Sequence, residues 1–179
     1  AAPPYRGAGA EDAARRGTLI HKLLERLPEL PSDEREAAAH RWLARQAADL
    51  GEDARASMVT AALTVLDDDR FADLFTPAAL AEVPLSALVD GQIVAGTADR
   101  LLVEKDRVLV LDYKTTTNPP ANLDAVPQGT LRQMGAYAAA LQAIYPDRRV
   151  EAGLLYTHAP RLIAIPADVL AANKPGFPA

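Results

Sequence analysis

Cysteine is absent from this 179-residue chain, which removes disulfides, thiolate zinc sites, iron–sulfur ligation and cysteine nucleophiles together. Long apolar runs are missing too. No stretch of roughly 18 apolar residues occurs, so no membrane-spanning segment and no membrane partner are expected. The opening residues lack the charged-then-apolar order of an export signal, and the cytoplasm is the default expectation. No G-x-x-x-x-G-K-[ST] run is present, so ATP-driven motor work is not expected of this segment. Aromatic residues make up 5%, and they do not cluster into a platform on which bases could stack. Positive charge is not in excess: the formal net charge is −5. That balance argues against a dedicated nucleic-acid binder, whose phosphate contacts usually need a basic face. Two circumstances would lift the objection: a divalent cation offsetting clustered carboxylates, or a second domain that holds the nucleic acid.

What is present describes a folded domain. The chain is 49% hydrophobic and 24% charged, ordinary for a protein with a buried core. Residues 1–10 (AAPPYRGAGA) read as a linker, 11–172 as a single domain and 173–179 (NKPGFPA) as a frayed tail. Leu19, Ile20, Leu23, Leu24 and Leu27 recur at helical spacing from about Glu11, and Pro28 and Pro31 close that helix. Ser32 is expected to cap a second helix with Trp42 and Leu43 inside; Gly51 ends it, and Asp53 starts a third running to Asp67. Phe71–Phe75 reads as one short turn. Residues 11–75 thus form a helical part, and 81–172 a sheet with helices.

In that second part, 81–89 and 92–104 read as strands joined by an Asp90-Gly91 turn. A Lys105-Asp106 turn leads into Arg107–Tyr113, whose VLVL run is apolar on both faces, as in a central covered strand. A loop (118–127), a helix (128–145), strands at 151–157 and 161–165 and a short helical end follow. The fold class is α/β, a mixed sheet flanked by helices with an N-terminal helical layer.

The chemistry concentrates on Asp99, Asp112 and Lys114. An acid is a poor strand former, yet Asp99 sits inside a strand beside Leu101, Leu102 and Val103. Asp112-Tyr113-Lys114 ends the most hydrophobic strand, and alternation points Asp112 and Lys114 the same way. If the strands pair through the Lys105-Asp106 turn, Asp99 and Asp112 lie equally far from it and face each other. Facing carboxylates repel unless a cation sits between them, and hard oxygen donors suit Mg²⁺ or Mn²⁺. Taken singly, each acid fits a structural role better than a catalytic one; the joint pattern favours catalysis.

These residues resemble the PD-(D/E)XK nuclease signature. Gly17-x-x-x-His21, Gly96-x-x-Asp99, Asp112-Tyr113-Lys114-Thr115 and Gln133-x-x-x-Tyr137, in that order, resemble its RecB-like branch, and within it the C-terminal nuclease domains of AddA-type helicase–nucleases. The resemblance spans Gly17 to Thr157; Ala98 stands where the superfamily name has proline. It implies a restriction-endonuclease-like fold and a Mg²⁺- or Mn²⁺-dependent DNA exonuclease in double-strand-break repair and recombination. It implies His21, Asp99, Asp112 and the Tyr113 backbone carbonyl as metal ligands, and Lys114 beside the attacking water. Gln133 and Tyr137 would orient DNA backbone or the carboxylates; a buried Tyr137 with a partnered hydroxyl is an equal reading. Glu82 is either an aid to the metal site through water or a strand-edge charge, and Thr115 either touches phosphate or caps the loop. The implied partners are a single DNA strand, helicase domains of the same polypeptide and an AddB-type subunit. Such tethering would explain the acidic balance, because a motor would deliver the strand. A stand-alone RecB-like phage or CRISPR-associated nuclease and a non-catalytic docking module are the rival readings. Arg15, Lys22, Arg100 and Arg132 are candidates for the cleft mouth, whereas His40 and His158 are expected to be structural.

Overall fold

The structure, a computed structural model, describes residues 8–176. Helix α1 (Ala8–Arg26) starts earlier than the sequence suggests, so Ala8–Ala10 are helix and not linker; residues 1–7 lie outside the described residues. Helices α2 (Arg35–Gln46) and α3 (Glu52–Leu66) complete the first layer. Ser32 does not cap α2. Pro31 holds the chain extended, so Ser32–Glu34 make a 3-10 turn first and α2 begins without a side-chain cap. Gly51 precedes α3 as its extended first flank; it does not end α2, which stops at Gln46.

Five strands form one sheet in the order β1 (Ala79–Val89), β2 (Gln92–Val103), β3 (Arg107–Lys114), β4 (Arg149–Tyr156) and β5 (Arg161–Ile165). The first three are an antiparallel meander. Asp90 and Gly91 both have positive φ (47° and 81°), the backbone a two-residue hairpin turn demands. β4 runs parallel to β3, reached through α4 (Gln128–Ile144), and β5 returns antiparallel.

β3 is the middle strand, and its alternation explains its composition. Leu111 and Tyr113 face α1–α3, joining Leu19, Ile20, Leu23, Leu24, Met58 and Val65 in one core. Val108 and Val110 face the other way and join Met134, Tyr137, Ala138 and Leu141 of α4. The sheet is therefore covered on both faces, and its β3 end lies between α1 and α4. This is the mixed, helix-flanked α/β architecture expected of the restriction-endonuclease-like fold.

Helix α5 (Ala167–Ala172) docks on α4 at Gly135, where a Cβ would overlap the Asn173 carbonyl oxygen. Asn173 and Lys174, read from the sequence as frayed tail, are tied down: Gln128 donates to Asn173 Oδ1 (2.6 Å) and Lys174 Nζ lies 2.8 Å from Asp90 Oδ2. Residues 177–179 lie outside the described residues. Overpacking of this kind costs about 1–3 kcal/mol. Gly135→Ala is expected to lower the denaturant midpoint of unfolding accordingly; an unchanged midpoint would contradict this docking.

Candidate active site

The β2–β3 ladder ends at Arg100 paired with Leu111, and the same register carries Asp99 opposite Asp112 where the strands part. Asp99 then replaces a backbone partner with its side chain: the Tyr113 N–H donates to Asp99 Oδ2 at 2.7 Å. On its other side β2 passes from Ala81–Arg100 to Val83–Ala98 pairs, leaving Glu82 across from Asp99 without ladder bonding. Glu82 has φ 50°, a left-handed conformation that non-glycine residues adopt at a cost of roughly 1–3 kcal/mol. Three acids thus follow one another across β1, β2 and β3.

Asp112 is 6% exposed. Lys114 Nζ lies 2.7 Å from its Oδ2 in an ion pair. Lys114 is in turn 3.5 Å from Gln133 Oε1, and Gln133 Nε2 lies 3.3 Å from the Tyr137 hydroxyl, which donates to the Thr97 carbonyl at 3.2 Å. Helical spacing puts Gln133 and Tyr137 on one face of α4. Gly96 makes room for them: a Cβ there would come within 2.7 Å of the Tyr137 ring. Tyr137 is thus a buried residue with a partnered hydroxyl and also the far end of a chain reaching Lys114.

His21 comes from the opposite layer. Its Nδ1 is 2.8 Å from the Gly17 carbonyl oxygen, which only accepts, so Nδ1 carries the proton and Nε2 faces the sheet. Nε2 lies 3.3 Å from Asp99 Oδ2. Gly17 has a second task, since a Cβ there would sit 2.9 Å from Thr115 Oγ1. Thr115 is thereby placed against α1, and its carbonyl accepts from Arg16 Nη1 (3.2 Å). Arg16 was not singled out in the sequence, where it is one of many scattered cations.

His21, Asp99, Asp112, Tyr113, Lys114 and Gln133 line a cleft of about 1130 Å³ bounded by α1, the ends of β1–β3, the loop after β3 and the start of α4, with Tyr137 and Arg16 outside the lining. Lys22, Glu82 and Thr115 line it too; Lys22 is paired with Glu25 at 2.8 Å. Three of the proposed DNA contacts do not. Arg100 is 4% exposed, donates from Nε to the Leu74 carbonyl (2.9 Å) and stacks on Phe75, so its charge is spent inside the protein. Arg15 is paired with Asp49 at 2.6 Å and stands outside the lining. Arg132 is exposed on α4, also outside it. His40 and His158 are exposed and away from the cleft. The sequence signalled the loop but not its role as a wall: Thr116, Asn118, Pro119 and Pro120 face the cleft, and Arg161 Nη1 pins the Pro120 carbonyl at 2.7 Å.

Electrostatics separate the two central carboxylates. Burial pushes Asp112 up from 3.8 to about 6, and the charge of Asp99 adds to this. Burial also acts to raise Asp99, but the bond to and charge of His21 outweigh it, and Asp99 is held below its ordinary value. His21 is raised above 6.5: burial opposes its charge, and Asp99 overcomes burial. Glu82 is raised by burial and then by Asp99. Among the described residues, no three His, Asp or Glu side chains already converge as a ready-made cation cage. With Asp112 raised, its contribution to stability is full below 3.8 and is lost as pH rises through about 6. The His21 contribution is full below 6.5 and lost as pH climbs through its raised value. Asp99, being lowered, contributes throughout this window. The metal-free thermal midpoint is therefore expected to fall as pH rises from about 4 through about 6, and to fall further above 6.5 as His21 loses its proton; a flat or rising midpoint in calorimetry would contradict these directions.

No curated protein matches the chain. Among solved structures that match is the crystal structure of SSO0001, at 15% identity and a TM-score of 0.36, covering 94% of this chain and 85% of that one. That likeness is too loose to bear on fold or function. The family description "PD-(D/E)XK nuclease superfamily" matches residues 4–173. Nearly the whole chain is spanned by that match, and the chain belongs to the PD-(D/E)XK nuclease superfamily.

Proposed function

We propose that this domain hydrolyses DNA phosphodiester bonds with the aid of Mg²⁺ or Mn²⁺. The observation that carries the reading is the carboxylate pair itself: Asp112 is buried beside Asp99, with the Lys114 ammonium 2.7 Å from Asp112 Oδ2. One ammonium does not balance two adjacent carboxylates once His21 is neutral, and a divalent cation would offset the excess. The donor set suits a hard divalent ion: Asp99 and Asp112 supply oxygens, and His21 offers Nε2 because Nδ1 is committed to Gly17. The Tyr113 carbonyl is a further candidate, since its N–H already points to Asp99 where β2 has parted from β3. Bound there, a divalent cation would polarise the phosphoryl oxygen and make a nearby water more acidic.

The protein's own groups divide the remaining work. Asp112 and His21 must give up protons to act as ligands, so metal binding is expected to release protons near neutral pH. Lys114 stays close enough to Asp112 to hold its ammonium at the cleft floor, where it would stabilise charge growing on the phosphate and favour loss of the water's proton. Gln133 and Tyr137 keep Lys114 aimed. Glu82 would serve through water on the far side of Asp99.

The finer assignment is a RecB-like exonuclease resembling the C-terminal domain of AddA-type helicase–nucleases, cutting a single strand delivered by helicase domains of the same polypeptide with an AddB-type subunit, in cytoplasmic double-strand-break repair and recombination. What favours delivery is the sparse positive charge of the cleft, where Lys22 and Lys114 are the lysines among the lining residues and the sequence-marked arginines stand elsewhere. A strand held by a motor needs little affinity from the cutter.

Labelled single-stranded DNA should be cleaved by wild type with Mn²⁺ or Mg²⁺ and left intact by Asp112→Ala. Lys114→Ala should lower turnover by about 10²–10³-fold while Mn²⁺ affinity stays nearly unchanged in calorimetry. Wild type inert with both ions at high enzyme concentration would favour a docking module over an enzyme.

A further inference from the structure

A column of stacked groups runs behind the cleft and ends on His21. Arg100 Cζ lies 5.1 Å over the Phe75 ring, Phe75 stacks on Tyr113 (centroids 6.2 Å apart, 23° between planes), and Tyr113 meets the His21 ring at 5.5 Å, tilted 59°. All three residues behind His21 are buried. Arg100 is anchored by its Nε on the Leu74 carbonyl, so the 3-10 turn Asp69–Phe75 and β2 are joined at the base of the column. The Tyr113 hydroxyl is buried and has no partner. A buried hydroxyl without a partner costs stability, so what tyrosine contributes here is its ring.

Tyr113 therefore holds both members of the His21–Asp99 pair. Its backbone N–H fixes the Asp99 carboxylate, and its ring fixes the plane of the His21 imidazole, whose other edge is tied to Gly17. We propose that Phe75 and the Tyr113 ring are positioning residues for the metal: they pre-orient Nε2 of His21 toward the carboxylates, so that the ion is bound without first ordering that ligand. The charged Arg100, which the sequence offered as a DNA contact, clamps Phe75 from below. The inference rests on the metal-site reading above. It also gives the short 3-10 turn a functional task, because Phe75 is its last residue.

The test measures Mn²⁺ binding by calorimetry and the thermal midpoint of the same metal-free samples. Tyr113→Leu removes the ring beside His21 and should weaken Mn²⁺ binding about tenfold or more, as loss of a group that orients a ligand does. Should that variant fail to fold, Phe75→Leu keeps the core filled and removes only the support beneath, with an expected weakening of about three- to tenfold, the range of one aromatic pair. Phe75→Tyr keeps the ring and should stay within about twofold of wild type. Wild-type Mn²⁺ affinity in Phe75→Leu and in any folded Tyr113→Leu, with only the thermal midpoint lowered, would overturn the positioning role and leave these as core residues. Wild type that binds no Mn²⁺ would overturn both this inference and the metal-site reading.

Discussion

Two carboxylates side by side at the buried end of a sheet repel each other, and the antiparallel register of β2 and β3 leaves them no choice. The Arg100–Leu111 pair fixes that register, and Asp99 and Asp112 are the next residues along. Slipping the register by one residue would relieve the repulsion but turn every apolar side chain of β3 to the wrong face. With both faces of β3 packed against helices, the core enforces what the carboxylates oppose. The penalty falls mainly on Asp112, whose rise from 3.8 to about 6, driven first by burial and then by the charge of Asp99, corresponds to roughly 3 kcal/mol against the ionised form.

The two helical layers meet this charged edge with different chemistry. α1 brings an imidazole whose protonation on Nδ1 is set by its own helix through the Gly17 carbonyl, so the free nitrogen points at Asp99. α4 brings neutral polar groups, Gln133 and Tyr137, that restrain a lysine instead of neutralising an acid. The glycines of the motifs serve close approach: Gly17 lets α1 reach Thr115, and Gly96 lets Tyr137 reach the backbone of β2. In both cases a missing Cβ on one element is what allows a side chain of another to approach it closely.

Much of this was legible in the sequence because it depends on short-range rules. Strand alternation and a two-residue turn suffice to set Asp99 against Asp112 and Lys114 beside them, and a period of 3.6 suffices to align Gln133 with Tyr137. The Ser32 cap failed because Pro31 diverted the chain into a 3-10 turn, a competition among neighbours that capping preference alone does not resolve. Arg100 misled for a different reason. Strand alternation turns it away from Asp99 and toward Leu74 and Phe75, whose position depends on how the helical layer folds back over the sheet. The cleft wall with Arg161 on Pro120 joins segments about 40 residues apart and leaves no local trace.

If the carboxylate pair is kept for a cation, removing one charge should stabilise the metal-free protein and abolish its response to metal. The direct measurement is the thermal midpoint of wild type and Asp112→Asn near pH 8, each with and without Mn²⁺. The expected result is a midpoint a few degrees higher for Asp112→Asn without metal, and a rise on adding Mn²⁺ for wild type alone. A metal-free Asp112→Asn less stable than wild type, together with a wild type indifferent to Mn²⁺, would contradict the account.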